Sequence, residues 1–506
     1  MRSARRRAFA ALAAAAALAG CAHYPATPRL TRFDPDSGYR LASLTSPDEE
    51  QADSVFVILT FSGGGTRAAA LAYGTLLELD AMRLPGTPRT LLDEVDVISS
   101  VSGGSFTAAY YGLRGVAGLR PDGARPSEFE REFLHWNGER GIGRRLFNPY
   151  NWYRLYSVGF SRIDLAAETY DSRVFHGATF ASLIDRRTRP FIVLNATDMS
   201  AGVPFVFTQE QLDPICADLS QVRVARAVAA SSAFPVLLTP VTVQNHAGGC
   251  GYVAPEWVRS ALAARPGDAT DPDQYRAARN IESYQRADRR KYIHLIDGGV
   301  GDNIGVRTPL RAIQATGGDW SLLRKRNDRR LRHVVMISVN ARTSHPTPID
   351  TSEYAPGIFT VLNTAIGAPL GNFSRESVLK ARQLFAADVA TQRVERTVHD
   401  LRRRVNPGDT LPPLRPAVTF TAVEIGFDAI PAADARHWFE TLPTNYHLSP
   451  GKVGRIRDVA RCLLRASPEF RQLMETLSRE AGVAPEAPAA DFRSRCFEQF
   501  GVSVPA

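Results

Sequence analysis

With 506 residues and 44% hydrophobic content, the chain can bury a large core, and its length fits two or three domains or one large α/β sheet. The formal net charge is +9, but Arg2, Arg5, Arg6 and Arg7 supply four of those charges at the N-terminus, leaving about +5 (9 − 4) on the body. A surplus that small is a solvated surface, not a nucleic-acid footprint, and no helix-turn-helix or zinc-finger spacing reopens that reading.

The N-terminal arginines precede an apolar run over residues 8–18 that is too short to span a bilayer, the pattern of a signal peptide over residues 1–20. The run ends Leu18-Ala19-Gly20-Cys21, which resembles the lipobox of bacterial lipoproteins. The resemblance implies cleavage before Cys21 and acylation of that cysteine. Several acyl chains anchor stably where a single one is marginal. Ala22 follows instead of Asp, which by the sorting rule of such lipoproteins implies the outer membrane, facing the periplasm. Residues 21–50, polar with Pro25, Pro28, Pro35 and Pro47, read as a tether.

Residues 51–482 read as one elaborated domain in which strand-like and helix-like stretches alternate, an α/β pattern. Residues 55–61 form a short apolar run rich in β-branched residues, a buried strand. The turn Ser62-Gly63-Gly64-Gly65-Thr66-Arg67 follows and opens a helix over 66–82. Residues 95–99 read as a second strand, then come Ser100-Val101-Ser102-Gly103-Gly104 and another helix start. Residues 144–160 mix Arg144, Arg145 and Arg154 with Phe147, Tyr150, Trp152, Tyr153, Tyr156 and Phe160, which suits either a membrane interface or a loop packed over the core. Strands are expected at 191–195, 292–296, 333–340 and 418–425, and an exposed polar insertion at about 262–290. In the helix expected over 374–405, Phe385, Val389, Val394, Val398, Leu401 and Val405 make one stripe, expected to pack on the core. Residues 483–506 read as a peripheral tail. Cys216, Cys250, Cys462 and Cys496 allow three disulfide connectivities, and the sequence-local pairs Cys216–Cys250 and Cys462–Cys496 are the expected ones. No Cys/His spacing suggests a metal site, and no cofactor is called for.

Strand, sharp turn and helix around Ser102 is the layout of a nucleophile elbow, with Ser100 in place of the usual first glycine. Ser99, Ser100 and Ser105 are rivals, but only Ser102 is followed by two glycines. The glycines at 63–65 end a strand and open a helix, so their N–H groups have no helical partner and the helix dipole favours an anion there. The turn has neither the Gly-Lys-Ser/Thr of a P-loop nor the dinucleotide Gly-x-Gly-x-x-Gly, which leaves an oxyanion hole as the leading functional reading. Arg67 is either a solvated side chain or a contact for an anionic head group. Asp297 ends an apolar strand before Gly298-Gly299, at the strand end where open α/β sheets place their sites.

In combination these motifs resemble the patatin-like phospholipase family: a glycine-rich oxyanion turn (63–65, then Thr66 and Arg67), an elbow serine (Ser102) and an Asp-Gly-Gly aspartate (Asp297), in that order. Further resemblance lies in Ala230-Ser231-Ser232-Ala233-Phe234-Pro235, in the continuation to Asp302-Asn303, and in Leu442-Pro443-Thr444, so it spans roughly residues 50–480. Ser62, where many members carry Asp, and Ser100 are departures.

The resemblance implies a three-layer α/β/α fold with a mostly parallel sheet and an added helical C-terminal part. It implies a Ser102–Asp297 dyad, an oxyanion hole at Gly63, Gly64 and Gly65, an acyl-enzyme, and hydrolysis of a phospholipid or other acyl ester without metal or cofactor. A Ser-His-Asp triad is the rival enzymatic reading, with His437 or His447 available by chain order; His294, three residues before Asp297 within the strand, is expected to face away. A catalytically silent scaffold that binds lipid or a partner, or an acyltransferase, are the alternatives.

Overall fold

The computed structural model describes residues 26–40, 54–157, 159–186, 189–235, 237–264, 272–314, 331–343, 353–354, 357–406, 418–484 and 492–500; the expected signal peptide and Cys21 lie outside them. Eight strands form one sheet: β1 (Val55–Phe61), β2 (Val95–Val101), β3 (Phe191–Asp198), β4 (Val203–Val206), β5 (Val241–Gln244), β6 (Tyr292–Asp297), β7 (His333–Asn340) and β8 (Thr419–Gly426). Their order is β5-β6-β3-β2-β1-β7-β8, with β4 paired to β3. The run from β3 to β8 is parallel, whereas β4, β5 and β6 join antiparallel. Every residue of β1, β2, β3 and β7 is buried, as a parallel sheet covered on both faces requires.

Helices α1 (Gly65–Ala81) and α2 (Gly103–Arg114) follow β1 and β2 directly, and α3 (Gly138–Leu146), α4 (Pro149–Tyr156) and α5 (Arg162–Tyr170) lie between α2 and β3. Helix α6 (Val224–Ser231) precedes β5; α7 (Glu256–Ala263) and α8 (Pro272–Tyr284) precede β6; α9 (Ile358–Val405) separates β7 from β8. The C-terminal part is helical: α10 (Ala433–Glu440), α11 (Pro450–Ala466), which packs on α1, and α12 (Phe492–Glu498). This is the mostly parallel sheet with flanking helices that the motifs implied.

Three expectations need correction, and a fourth is qualified. Residues 26–40 are not a tether. The Leu30 N–H donates to the Cys216 carbonyl at 2.9 Å, buried Tyr39 exchanges hydrogen bonds with both main-chain groups of Ile192, and Arg40 pairs with Asp213 at 2.7 Å. The 262–290 insertion is largely unburied over its described residues, as expected, but residues 272–284 form a helix that anchors it through a buried Tyr284, whose hydroxyl donates to Asp198 at 2.8 Å. The C-terminal segment is no peripheral tail either, because Phe497 and Phe500 are buried and Cys496 is bonded to Cys462. Finally, Val394, Val398, Leu401 and Val405 are exposed on α9, so that stripe does not pack on the core; the side chain of Phe385 lies outside the description. Both expected disulfides, Cys216–Cys250 and Cys462–Cys496, are formed.

Candidate active site

Ser102 stands alone between the last residue of β2 and the first of α2, with φ 49° and ψ −118°. A non-glycine residue in that region is strained, and a strained serine between strand and helix defines a nucleophile elbow. The following glycines are required sterically. A Cβ on Gly103 would lie 2.1 Å from the Gly65 carbonyl oxygen, and one on Gly104 would lie 2.7 Å from the Phe61 Cβ. The rival serines point into the protein: Ser99 donates to the Gly305 carbonyl at 2.7 Å, Ser100 to the Val193 carbonyl at 3.2 Å, and Ser105 hydrogen-bonds Ser231 at 2.9 Å. Ser100 therefore replaces the elbow glycine without distorting the turn, because its hydroxyl has a partner in the neighbouring strand. Ser62 is likewise accommodated, accepting the Ala341 N–H at 2.9 Å.

Sheet register explains why Asp297 meets Ser102. Val101 is in register with Asn195, and Asp297 with Ala196, the next position on β3. Asp297 does end its strand at the edge where the parallel strands finish, but it arrives on an antiparallel strand. The 230–235 segment ties base to nucleophile: the main-chain N–H groups of Asp297 and Gly298 donate to the Ala233 and Ser231 carbonyls, each at 3.0 Å. The Asp297 carboxylate is buried and accepts the Gly299 N–H at 2.7 Å. Burial raises its pKa from 3.8 to about 6, while the Gly299 N–H and the Ser102 hydroxyl hold it back down.

The oxyanion turn is narrower than the three glycines suggested. The Gly63 N–H donates to the Asn303 carbonyl at 2.9 Å and the Thr66 N–H to the Asn445 carbonyl at 2.9 Å. Gly64 and Gly65, both with positive φ, have no main-chain or side-chain acceptor among the described residues, so they are the donors left for an oxyanion. The Asn303 side-chain oxygen stands 2.6 Å from where a Gly63 Cβ would be and 2.9 Å from a Gly299 Cβ. It wedges between the oxyanion turn and the Asp297 loop, a role the sequence did not single out.

Arg67 is neither solvated nor available to a head group. Its buried guanidinium donates to the Ala341 carbonyl at 2.9 Å, the Leu442 carbonyl and the Thr444 hydroxyl, and burial lowers its pKa to about 10. It clamps the 442–444 segment onto the start of α1. That segment delivers Tyr446, also unforeseen. The Tyr446 hydroxyl donates to the Ser232 carbonyl at 3.4 Å, and burial, helped by the charge of Asp297, pushes its pKa up to about 12 against the hydrogen bond with Ser232. Of the histidines, His294 is exposed and bonded to Thr242 at 3.1 Å, facing away as expected. No described hydrogen bond joins His437 or His447 to Ser102 or Asp297, and the His447 Nδ1 is buried without a partner.

Fold and site thus define an α/β protein whose elbow serine lies beside a buried carboxylate and a glycine turn with open N–H groups. Residues 59–310 match the family model described as Patatin-like phospholipase, and over that span the chain belongs to the patatin-like phospholipase family. No curated protein matches the chain. Among solved structures it is similar to human GIVD cytosolic phospholipase A2, at 17% identity and TM-score 0.33 over 64% of this chain and 50% of that one. It is also similar to that protein in complex with methyl gamma-linolenyl fluorophosphonate, at 12% identity and TM-score 0.37 over 87% and 62%. A third likeness is VipD from Legionella pneumophila, at 11% identity and TM-score 0.26 over 81% and 67%. The chain thus spans half the length of the first of these structures.

Proposed function

We propose that the chain is a serine lipid acyl hydrolase, acting on phospholipid or another acyl ester through a Ser102–Asp297 dyad. The observation that carries this reading is the strained Ser102 beside an Asp297 whose pKa of about 6 keeps it ionised yet basic at neutral pH. Ser102 Oγ attacks the ester carbonyl carbon as its proton passes to Asp297, and the oxyanion is held by the Gly64 and Gly65 N–H groups. The C–O bond to the leaving alcohol then breaks, the alcohol taking the proton from Asp297. Water, deprotonated by Asp297, attacks the acyl-serine; the C–Oγ bond breaks, Ser102 Oγ takes the proton back from Asp297, and the fatty acid leaves. Family membership supports lipid acyl hydrolysis as the chemistry.

The same reading holds the protein at the bacterial outer membrane, facing the periplasm, through acyl chains on Cys21. Two disulfides in the folded body fit an oxidising compartment outside the cytoplasm. Fatty-acid release from phospholipid vesicles and short-chain esters, compared between the parent and Ser102→Ala, tests the chemistry. Activity confined to the parent supports it, and equal activity in both overturns it. An unmodified Cys21 in the mass spectrum of the envelope-derived protein would overturn the anchor.

A further inference from the structure

The geometry points to the α3–α4 hairpin as a docking surface for anionic phospholipid bilayers. Helix α4 is built inside out. Its polar Asn151 is 4% exposed and donates to the Arg145 carbonyl at 2.8 Å, whereas Tyr150, Trp152, Tyr153 and Tyr156 face solvent. Tyr156 is 94% exposed and Phe147, in the turn between the helices, is 80% exposed. A surface helix ordinarily turns its apolar stripe to the core and its polar face to water. The sequence left open whether these aromatics pack on the core; of the set, Phe160 does so and the five from Phe147 to Tyr156 do not.

The display is fixed in place. Arg145 and Arg154 both reach Glu168 on α5, Arg145 at 2.7 Å, and the Arg154 guanidinium lies 3.8 Å from the Phe160 ring centroid. The arginines nearest the aromatics are thus spent inward, holding an apolar face outward. Around that face the charge is one-sided. Residues 138–162 contain five arginines and one carboxylate, Glu139, and the three arginines not engaged with Glu168, namely Arg140, Arg144 and Arg162, are exposed. Tyrosine and tryptophan settle at the headgroup level of a bilayer, and exposed arginines around them complement anionic lipid. At eight residues, α4 is about 12 Å long, so it lies in the interface and does not cross it.

The hairpin also springs from the wall of the candidate site. The Gly138 N–H that starts α3 donates at 2.9 Å to the carbonyl of Tyr446, whose hydroxyl donates to the Ser232 carbonyl next to the Ser231 that holds the elbow. A bilayer holding the hairpin would therefore lie against the side of the molecule that takes the ester. This inference stands on the hairpin's surface and charge, and needs neither acylation of Cys21 nor hydrolysis.

The test uses the full chain carrying Cys21→Ser and Ser102→Ala, so that neither anchor nor turnover contributes. Co-sedimentation with vesicles of phosphatidylcholine alone, or of equal parts phosphatidylcholine and phosphatidylglycerol, should show binding favoured by the anionic lipid. Adding Phe147→Ser with Tyr156→Ser should weaken binding to both by tenfold or more. Adding Arg140→Glu with Arg144→Glu should remove the anionic preference, by roughly fivefold per arginine. All four side chains are exposed, and unchanged melting temperatures would show that the fold is intact. The same pairs in the Ser102 protein should keep their rate on a soluble short-chain ester, which separates a docking defect from a failure of the hydrolase reading. Parent-like vesicle binding by the serine pair overturns the proposal. So does a parent that ignores vesicles but self-associates until the serine pair is introduced, which would assign the face to a second copy of the chain.

Discussion

The Ser231 hydroxyl accepts the main-chain N–H of Ser102 at 2.9 Å, so the strained residue of the elbow is held by a side chain 129 residues away. Ser231 donates its one proton to the Asn195 carbonyl at 2.6 Å and also meets the Ser105 hydroxyl at 2.9 Å. One buried oxygen thus joins β3, α6 and the elbow. Ser231→Ala leaves the buried Ser102 N–H unpaired, while the Ser105 hydroxyl keeps Ser100 at 3.2 Å, at about 1–3 kcal/mol of stability. Because the Ser102 conformation relaxes, kcat on a short-chain ester should fall at least tenfold with KM little changed. A variant that loses stability but keeps kcat would show that the elbow holds its shape without Ser231.

Burial, not a neighbouring charge, is the main reason the Asp297 pKa stands at about 6. The base must be ionised, so kcat/KM should rise with pH through an apparent pKa near 6 and fall about tenfold per unit below it. The sign for stability is opposite. A carboxylic acid whose pKa is higher folded than unfolded binds its proton better in the folded state, so its ionisation costs stability as pH rises from about 4 to 6. The shift of about 2 units corresponds to roughly 3 kcal/mol. Asp297→Asn should therefore be inactive yet more stable than the parent at pH 7, with the gain shrinking towards pH 4. Melting curves at the two pH values check this, and an equal gain at both would mean that the charge is not the cause.

How much of this was legible in the sequence depended on whether each feature is local. The strands around Ser102, the glycine turn and Asp297 are continuous buried runs closed by glycines, and such runs announce themselves. The disulfides join residues 34 apart, which made the local pairing readable. By contrast, Tyr446 and Asn303 reach the site only through tertiary packing, since the Thr66 and Gly63 N–H groups fix their segments against the start of α1. The neighbouring Leu442-Pro443-Thr444 is part of the family resemblance, but it does not mark Tyr446 itself. Arg67 was misjudged for the same reason: three of its acceptors lie beyond residue 340, and a helix-start arginine read without them looks solvated. The α9 stripe shows the converse limit, because periodicity records which face is apolar and not what covers it.

Arg67 is a buried cation that donates to two main-chain carbonyls and one hydroxyl, with no carboxylate among the described residues offsetting its burial. Its planar fork reaches Ala341, Leu442 and Thr444 at once, a geometry that a lysine ammonium does not reproduce. Arg67→Lys should therefore lower stability by about 2–3 kcal/mol, and Arg67→Met by at least as much, since the carbonyls lose their donors. Both should also raise susceptibility to proteolysis around residues 442–446, because the clamp on that segment is gone. Limited proteolysis with mass mapping checks the second point, and a cleavage pattern identical to the parent's would mean that other contacts hold the segment.

Tyr446 offers the sharpest separation between holding the nucleophile and tuning the base. Its hydroxyl donates to the Ser232 carbonyl, next to the Ser231 that holds Ser102, while the high pKa of Asp297 arises from burial and not from the phenol. Tyr446→Phe removes the hydroxyl and keeps the ring, which packs edge-on against Phe106 at 6.1 Å. A neutral hydrogen bond is worth about 0.5–1.5 kcal/mol, so kcat should fall roughly threefold to tenfold. The apparent pKa near 6 should stay, because the apolar surroundings of Asp297 are unchanged. A pH–rate profile of the variant reads both quantities together. A midpoint displaced by a unit would mean that the phenol tunes Asp297 directly, and a change confined to KM would place it on the substrate instead of on Ser102.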